Sequence, residues 1–141
     1  MSYDDMTALI DTMEERRVEA LLALFADTEL TVPHPPRSGL VMLTVKDSFD
    51  TDFHLGEVLV TEACVLFRGC EGYGVTLGES PRKALARAAA DAVFRCSQPT
   101  EIGERLKSYL QREASLQEEM RAKEAALIAA TKVNFDLMPG A

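Results

Sequence analysis

The residue types in this chain that most readily perform chemistry are two histidines and three cysteines. His34 and His54 lie in predicted loops without partners at the spacing of a metal site, which needs three or four converging ligands. Cys64 and Cys96 fall on apolar faces, so we expect small core residues there, whereas Cys70 falls in a turn and is the more exposed thiol. The odd count favours reduced thiols. These residues predict no catalytic site, metal site or cofactor.

A glycine-rich segment from Gly72 to Gly78 invites comparison with phosphate-binding loops. It lacks the G-x-G-x-x-G spacing and any Gly-Lys-Ser/Thr signature, so we assign its glycines to a β-hairpin. Directly after it, Ser80 suits the N-cap of a helix and Pro81 its first position. Because a helix start offers free N–H groups and a positive dipole, this elbow is a candidate anion-binding site, formed by Ser80, Arg82 and Lys83.

The net charge and the hydropathy of the chain limit the classes of partner that it is expected to bind. The formal net charge of −8 argues against binding to a nucleic-acid backbone, which requires an excess of Lys and Arg. No apolar run approaches the ~20 residues that span a bilayer. The first residues lack the basic and apolar regions of a secretory signal. We therefore expect a cytoplasmic protein that binds neither nucleic acid nor membrane.

The 141 residues are predicted to form one domain in three parts, namely a helix over 4–26, a sheet over 29–78, and a helical part with a tail over 81–141. Apolar residues at helical spacing predict a core-facing N-terminal helix, and a partner-binding helix remains the alternative. Its stripe consists of Met6, Ile10, Met13, Arg17, Leu21 and Leu24. The proline-rich segment Thr31–Gly39 is predicted to be an extended connector.

The sheet is predicted from β-branched and apolar runs separated by polar turns. The longest strand, 58–67, is mostly apolar on both faces, which predicts that both faces are covered. Glu62 is the exception, and we expect it near an edge or paired. The remaining segments are a strand at 40–46, a polar loop or loose hairpin at 47–54 that anchors Phe53, a turn at 68–72 and a returning antiparallel strand at 73–77.

Two helices and a tail complete the chain. The first helix should run from Pro81 to Cys96, with an alanine-rich face that permits close packing. The second should run from about Thr100 to Ala130, so it is longer than a small domain's core and part of it should project. In the tail, Val133, Phe135 and Leu137 alternate with polar residues, which suits a strand added to this chain or to a neighbour. The predicted fold class is α+β, with a mainly antiparallel sheet of about four strands.

Several of these stretches together resemble the G subunit (PhnG) family of the bacterial phosphonate carbon–phosphorus lyase system. No single motif is decisive, but their order and spacing are specific, and they cover the chain from about residue 35 to its end. They are Pro35–Met42, Phe53–Thr61, the pattern Gly72-Tyr73-Gly74-x-x-Leu77-Gly78, the alanine-rich helix and the tail Ala130–Gly140.

The resemblance implies an accessory subunit of a core complex with the H, I and J proteins. Such complexes, with a cassette-like ATPase partner, convert MgATP and an alkylphosphonate into ribose 1-phosphonate 5-triphosphate (ribose 1-methylphosphonate 5-triphosphate from methylphosphonate) and adenine. The resemblance implies that the I and J subunits carry out catalysis and that the G subunit has no established catalytic residue. On this basis the interface candidates are Tyr73, Val133, Phe135 and Met138.

The chain departs from the family pattern at two places. Glu62 stands where the family usually has arginine, and Glu79-Ser80 stands where it often has Arg-Asp. Both changes remove positive charge, so a basic contact face is not transferred to these positions. Two alternatives stay open: a self-sufficient nucleotide- or phosphate-binding domain that uses the Ser80–Lys83 elbow, and a homo-oligomeric scaffold built on contacts between copies of the chain.

Overall fold

The computed structural model describes residues 1–132 and has an α+β fold, as predicted. An antiparallel sheet of four strands packs against helices, and a long helix follows at the C-terminal side. The elements in chain order are α1 Tyr3–Asp11, α2 Glu15–Ala23, β1 Leu30–Thr31, β2 Arg37–Lys46, β3 Asp52–Phe67, β4 Cys70–Leu77, α3 Pro81–Arg95 and α4 Glu101–Thr131.

Strand β3 is the centre of the sheet because all three other strands pair with it. β4 pairs antiparallel with its second half, from Val60 to Phe67. β2 pairs antiparallel with its first part, from Asp52 to Glu62, and the two-residue β1 pairs with its end. The core lies where β3 and β4 meet the helices, and Val65 and Phe67 are fully buried there.

Helix α3 lies directly on β4, and two glycines make this approach feasible. A Cβ at Gly72 would collide with the Ala88 carbonyl, and one at Gly74 would lie 2.6 Å from the Ala88 nitrogen. Both glycines belong to the β3–β4 hairpin, as predicted, but Gly72 lies in β4 rather than in the turn. The turn uses Arg68 and Gly69, which have positive φ, and β4 begins at Cys70, so the predicted turn at 68–72 was too long.

The N-terminal segment forms two helices, which corrects the prediction of one helix over 4–26. The break lies at Thr12, whose hydroxyl donates to the Ala8 carbonyl (3.0 Å), and at Glu14, whose backbone is extended. Thr hydroxyls compete in this way with regular helix continuation. After the break, Val18 and Phe25 are buried where the stripe had placed Arg17 and Leu24, while Leu21 is buried as predicted.

Two of the three cysteines differ from their prediction as reduced thiols. Cys70 and Cys96 form a disulfide, and their Cα atoms lie 5.8 Å apart, within the range that a disulfide requires. The pair joins the β3–β4 turn to the end of α3, a proximity that a separation of 26 residues hides in the sequence. Cys96 is half-buried rather than a full core residue, and Cys64 is the free cysteine among the described residues.

Helix α4 begins as predicted, with the Thr100 hydroxyl accepting from the Gly103 N–H at 3.0 Å. Its first turns bury Ile102, Leu106 and Leu110 against the core. Next, Glu113 forms a buried ion pair with Arg17 of α2, with Nε and Oε2 at 2.7 Å. Gln117 donates to the Leu9 carbonyl of α1 at 3.1 Å. These contacts fix the long helix to the N-terminal pair.

Candidate functional site

The predicted anion-binding elbow is occupied by contacts within the chain. Arg82 lies 3.3 Å from a carboxylate oxygen of Glu15 and 2.7 Å from one of Glu19. The Lys83 ammonium donates to the Asp11 carbonyl at 2.9 Å. Ser80 is the N-cap residue of α3, but among the described residues its hydroxyl makes no capping bond.

The elbow's backbone is also held from within, since the Ser80 N–H donates to the Thr61 hydroxyl at 3.0 Å. The cations therefore attach α3 to α1 and α2. This arrangement gives anion binding at Ser80, Arg82 and Lys83 no support.

Tyr73 belongs to a polar cluster on the outer face of the sheet, the face opposite α3. Its hydroxyl donates to Glu62 at 2.6 Å, and Glu62 also pairs with Arg37 of β2. The hydrogen bonds from Tyr73 and Arg37 lower the pKa of Glu62, and the same bond to Glu62 raises the pKa of Tyr73. Glu62 is therefore paired, as expected for a carboxylate in an apolar run, and Tyr73 remains half exposed.

A shallow cavity beside this cluster has few groups suited to catalysis. It has a volume of about 360 Å³ and extends from His34 along the outer face to Cys64 and Glu71. Burial and the hydrogen bond to Glu71 raise the pKa of the Cys64 thiol, which disfavours the nucleophilic thiolate. Within residues 1–132, no three His, Cys, Asp or Glu side chains are grouped to hold a metal ion.

The feature that stands out is a long β-hairpin, here called the hairpin arm, formed by β2, residues 47–51 and residues 52–59 of β3. β4 pairs with β3 from Val60 onward, whereas the β2–β3 ladder continues to the Lys46–Asp52 pair. At about 3.3 Å per residue, the arm therefore extends roughly 26 Å past the end of β4.

The hairpin arm exposes apolar side chains on both of its faces. Ser38 lies opposite Thr61 on the inner face, and alternation places Leu40 and Met42 on that face too. Leu40 is 62% and Met42 54% exposed, although the same face is buried further along β3. On the outer face Val41 and Leu43 are exposed as well. Because exposed apolar patches often belong to binding surfaces, the arm is a candidate interaction surface.

The arm ends in an ordered tip with an aromatic side chain. Asp47 Oδ1 accepts from the N–H groups of Phe49 and Thr51, both at 2.9 Å, and Asp50 has positive φ. Phe49 is 87% exposed. Of the loop or loose hairpin predicted at 47–54, the structure has a hairpin, with β3 beginning at Asp52. The expectation that Phe53 is anchored was wrong, because Phe53 is exposed.

The apolar runs of β2 and β3 form strands as predicted, but they are more exposed than was expected. Consecutive apolar residues from Leu40 to Leu43 indicated a strand, and the strand is present. The prediction that both faces of the 58–67 strand are covered was wrong, since the outer face exposes Leu66. Apolar residues at successive positions were the available signal for a surface that is exposed on two sides.

A second exposed surface lies on the distal half of α4. Beyond Gln117 the helix has no buried residue among those described, and it exposes Met120, Leu127 and Ile128. With 31 residues, α4 is about 46 Å long, so its end projects as predicted. The interface candidates Val133, Phe135 and Met138 lie outside the described residues. No helix in the described part is both long and apolar enough to cross a membrane.

Comparison with known proteins gives one family. The model of a family described as phosphonate metabolism protein PhnG matches residues 4–140. No curated protein sequence matches the chain significantly.

Proposed function

The chain belongs to the PhnG family of phosphonate metabolism proteins, and from this we propose that it is a non-catalytic accessory subunit of the carbon–phosphorus lyase core complex. Its partners would be the H, I and J subunits. In that role the chain is required for the synthesis of ribose 1-methylphosphonate 5-triphosphate from ATP and an alkylphosphonate. The observation that carries the proposal is the family match over nearly the whole chain.

The hairpin arm supports a role in assembly. An isolated two-stranded hairpin is at best marginally stable in water, and this one also exposes several large apolar side chains. A partner protein that covers the arm would remove these apolar side chains from water and so stabilise it. The distal half of α4 offers a second surface of the same kind.

The alternative of a self-sufficient nucleotide-binding domain has less support. Its cations, Arg82 and Lys83, are held by Glu15, Glu19 and Asp11. Calorimetry on the isolated chain tests it directly. Binding of ATP at concentrations up to about 1 mM, equivalent to roughly −4 kcal/mol, would favour it over the subunit role.

Reconstitution of the synthase tests the proposed function. The H, I and J proteins and the ATPase partner would be combined with ATP and methylphosphonate, with and without this chain, and adenine release would be measured. We expect adenine release only when the chain is present. Equal release without the chain would contradict an essential accessory role.

The tail candidates Val133, Phe135 and Met138 are proposed as contacts of the I subunit. Deletion of residues 133–141 should reduce co-purification with the I subunit while leaving the thermal unfolding of the isolated chain unchanged. Unchanged co-purification would remove the tail from the interface. The control is the substitution of exposed Ser108 by Ala, in the first half of α4 and away from the projecting half.

A further inference from the structure

We infer that the hairpin arm inserts into a cleft of a partner protein that is apolar on both walls and basic at the end that receives the tip. This inference rests on the proposed function, since the partner would be another subunit of the complex. It goes further by specifying a binding mode and the chemistry of the binding cleft.

The exposure of both faces favours enclosure. Leu40 and Met42 lie on the inner face and Val41 and Leu43 on the outer face, and all four are exposed by about half or more. A partner that covered one face would leave the other apolar face in water, at a cost proportional to its area. Both faces are removed from water only if protein lies on each side of the arm.

The irregular pairing of β2 with β3 disfavours a dimer in which a second copy of the chain adds a strand to the edge of the arm. The register shifts between Leu43 and Thr44, and Leu55 is the extra residue on the opposite strand. Gly56 next to it has a φ of 144°, a conformation that favours glycine. Such a bulge bends the hairpin and interrupts edge-to-edge pairing. Pairing through the β2 edge would also leave both faces exposed.

The tip of the arm combines the exposed side chain of Phe49 with negative charge. The tip carries three aspartates within three residues of Phe49 in the chain, Asp47, Asp50 and Asp52. One cation, Lys46, is nearby and pairs with Asp50 at 3.5 Å. Exposed aromatic side chains at the centre of an interface often dominate its binding energy. Negative charges near such an aromatic side chain are complemented by Lys and Arg on the partner. The expected pocket for Phe49 is therefore apolar at its floor and basic at its rim.

Thiol labelling on the two faces tests enclosure. Leu40→Cys and Val41→Cys place one thiol on the inner and one on the outer face, and the unsubstituted chain measures the background from Cys64. Maleimide labelling would be timed for the full chain alone and in the complex with the H, I and J proteins. We expect both rates to fall by at least about tenfold in the complex, as at the dry core of an interface.

Protection of one position alone, or of neither, would overturn the inference while the complex and the proposed function remain. If the unsubstituted chain forms no complex, the proposed function fails and the inference fails with it. If both thiols are already protected in the chain alone and it elutes as a dimer, the occupant is a second copy, which also overturns the inference.

Tip variants test the chemistry of the cleft. We expect Phe49→Ala and Asp52→Lys each to weaken co-purification by about tenfold, the Asp52→Lys effect shrinking at high salt. Tyr3→Ala, the change of an exposed aromatic side chain on α1, outside both the arm and the distal half of α4, serves as the control. Retention of both tip variants at wild-type level would overturn the assignment of an aromatic pocket with a basic rim.

Discussion

At the residue scale, Glu62 shows how a charge is accommodated in an apolar strand. The sequence predicted that this carboxylate would be paired or near an edge, and its partners are Arg37 and Tyr73. The partners could not be predicted from the residues alone, because they lie 25 and 11 positions away and are brought close by strand register. The contact of the β4 glycines with α3 was not predicted for the same reason, since it depends on where α3 lies.

The titration of Glu62 tests this cluster. Folding lowers its pKa, so the ionised carboxylate stabilises the fold above the usual glutamate pKa, and this contribution is lost as the pH falls through the folded-state pKa. Tyr73→Phe removes the hydroxyl donor, and we expect the pKa of Glu62 to rise toward its ordinary value in carbon-detected NMR titrations. Tyr3→Phe, on α1, is the control. An ordinary pKa for Glu62 in the unsubstituted chain would contradict the cluster.

Because α3 packs closely on β4, adding a methyl group at Gly74 should strongly destabilise the fold. At Gly74 a Cβ would meet backbone atoms of α3, including the Ala88 nitrogen at 2.6 Å, so Gly74→Ala must move the helix. We expect it to destabilise the chain by about 3 kcal/mol in urea unfolding. Gly39→Ala, where nothing lies within 4 Å, should change stability by less than about 1 kcal/mol. Equal effects of the two changes would refute the packing argument.

At the element scale, α4 combines a buried half with a projecting half. Its start, its length and its projection were predictable from the Thr100 cap and the long run of helix-forming residues. The partner of Glu113 was not predictable from this run of residues. In the structure Glu113 meets Arg17, whose guanidinium also lies 4.8 Å from the centre of the Tyr109 ring. The break between α1 and α2 makes this meeting feasible, and one continuous helix had been expected.

The Arg17–Glu113 pair should stabilise the attachment of α4 to α2. Glu113 is nearly buried and Arg17 is 30% exposed, so removing the carboxylate leaves a partly desolvated cation without its partner. We expect Glu113→Ala to cost about 2 kcal/mol of unfolding free energy. Glu119→Ala, an exposed position on the same helix, should stay within about 0.5 kcal/mol. A Glu113→Ala effect no larger than the control's would show that the pair does not hold the helices together.

At the scale of the whole molecule, residues 1–132 contain one covered region and two exposed apolar surfaces. The fold class and the family could be predicted from the order of motifs along the chain. The exposed arm could not, because apolar residues in a strand indicate burial unless the limits of the covering helix are known. Here α3 covers the sheet from about Thr61 onward, and the arm lies beyond it. Exposed apolar surface on this scale is a property of proteins that assemble.

The central claim, membership of a core complex, is tested most directly by co-expression of this chain with the H, I and J proteins. Affinity purification through a tag on the I protein would be followed by size-exclusion chromatography. We predict that the chain elutes with the I and J proteins in stoichiometric amount. Elution of the chain as a separate monomer or homodimer, with the other subunits assembled without it, would contradict the account.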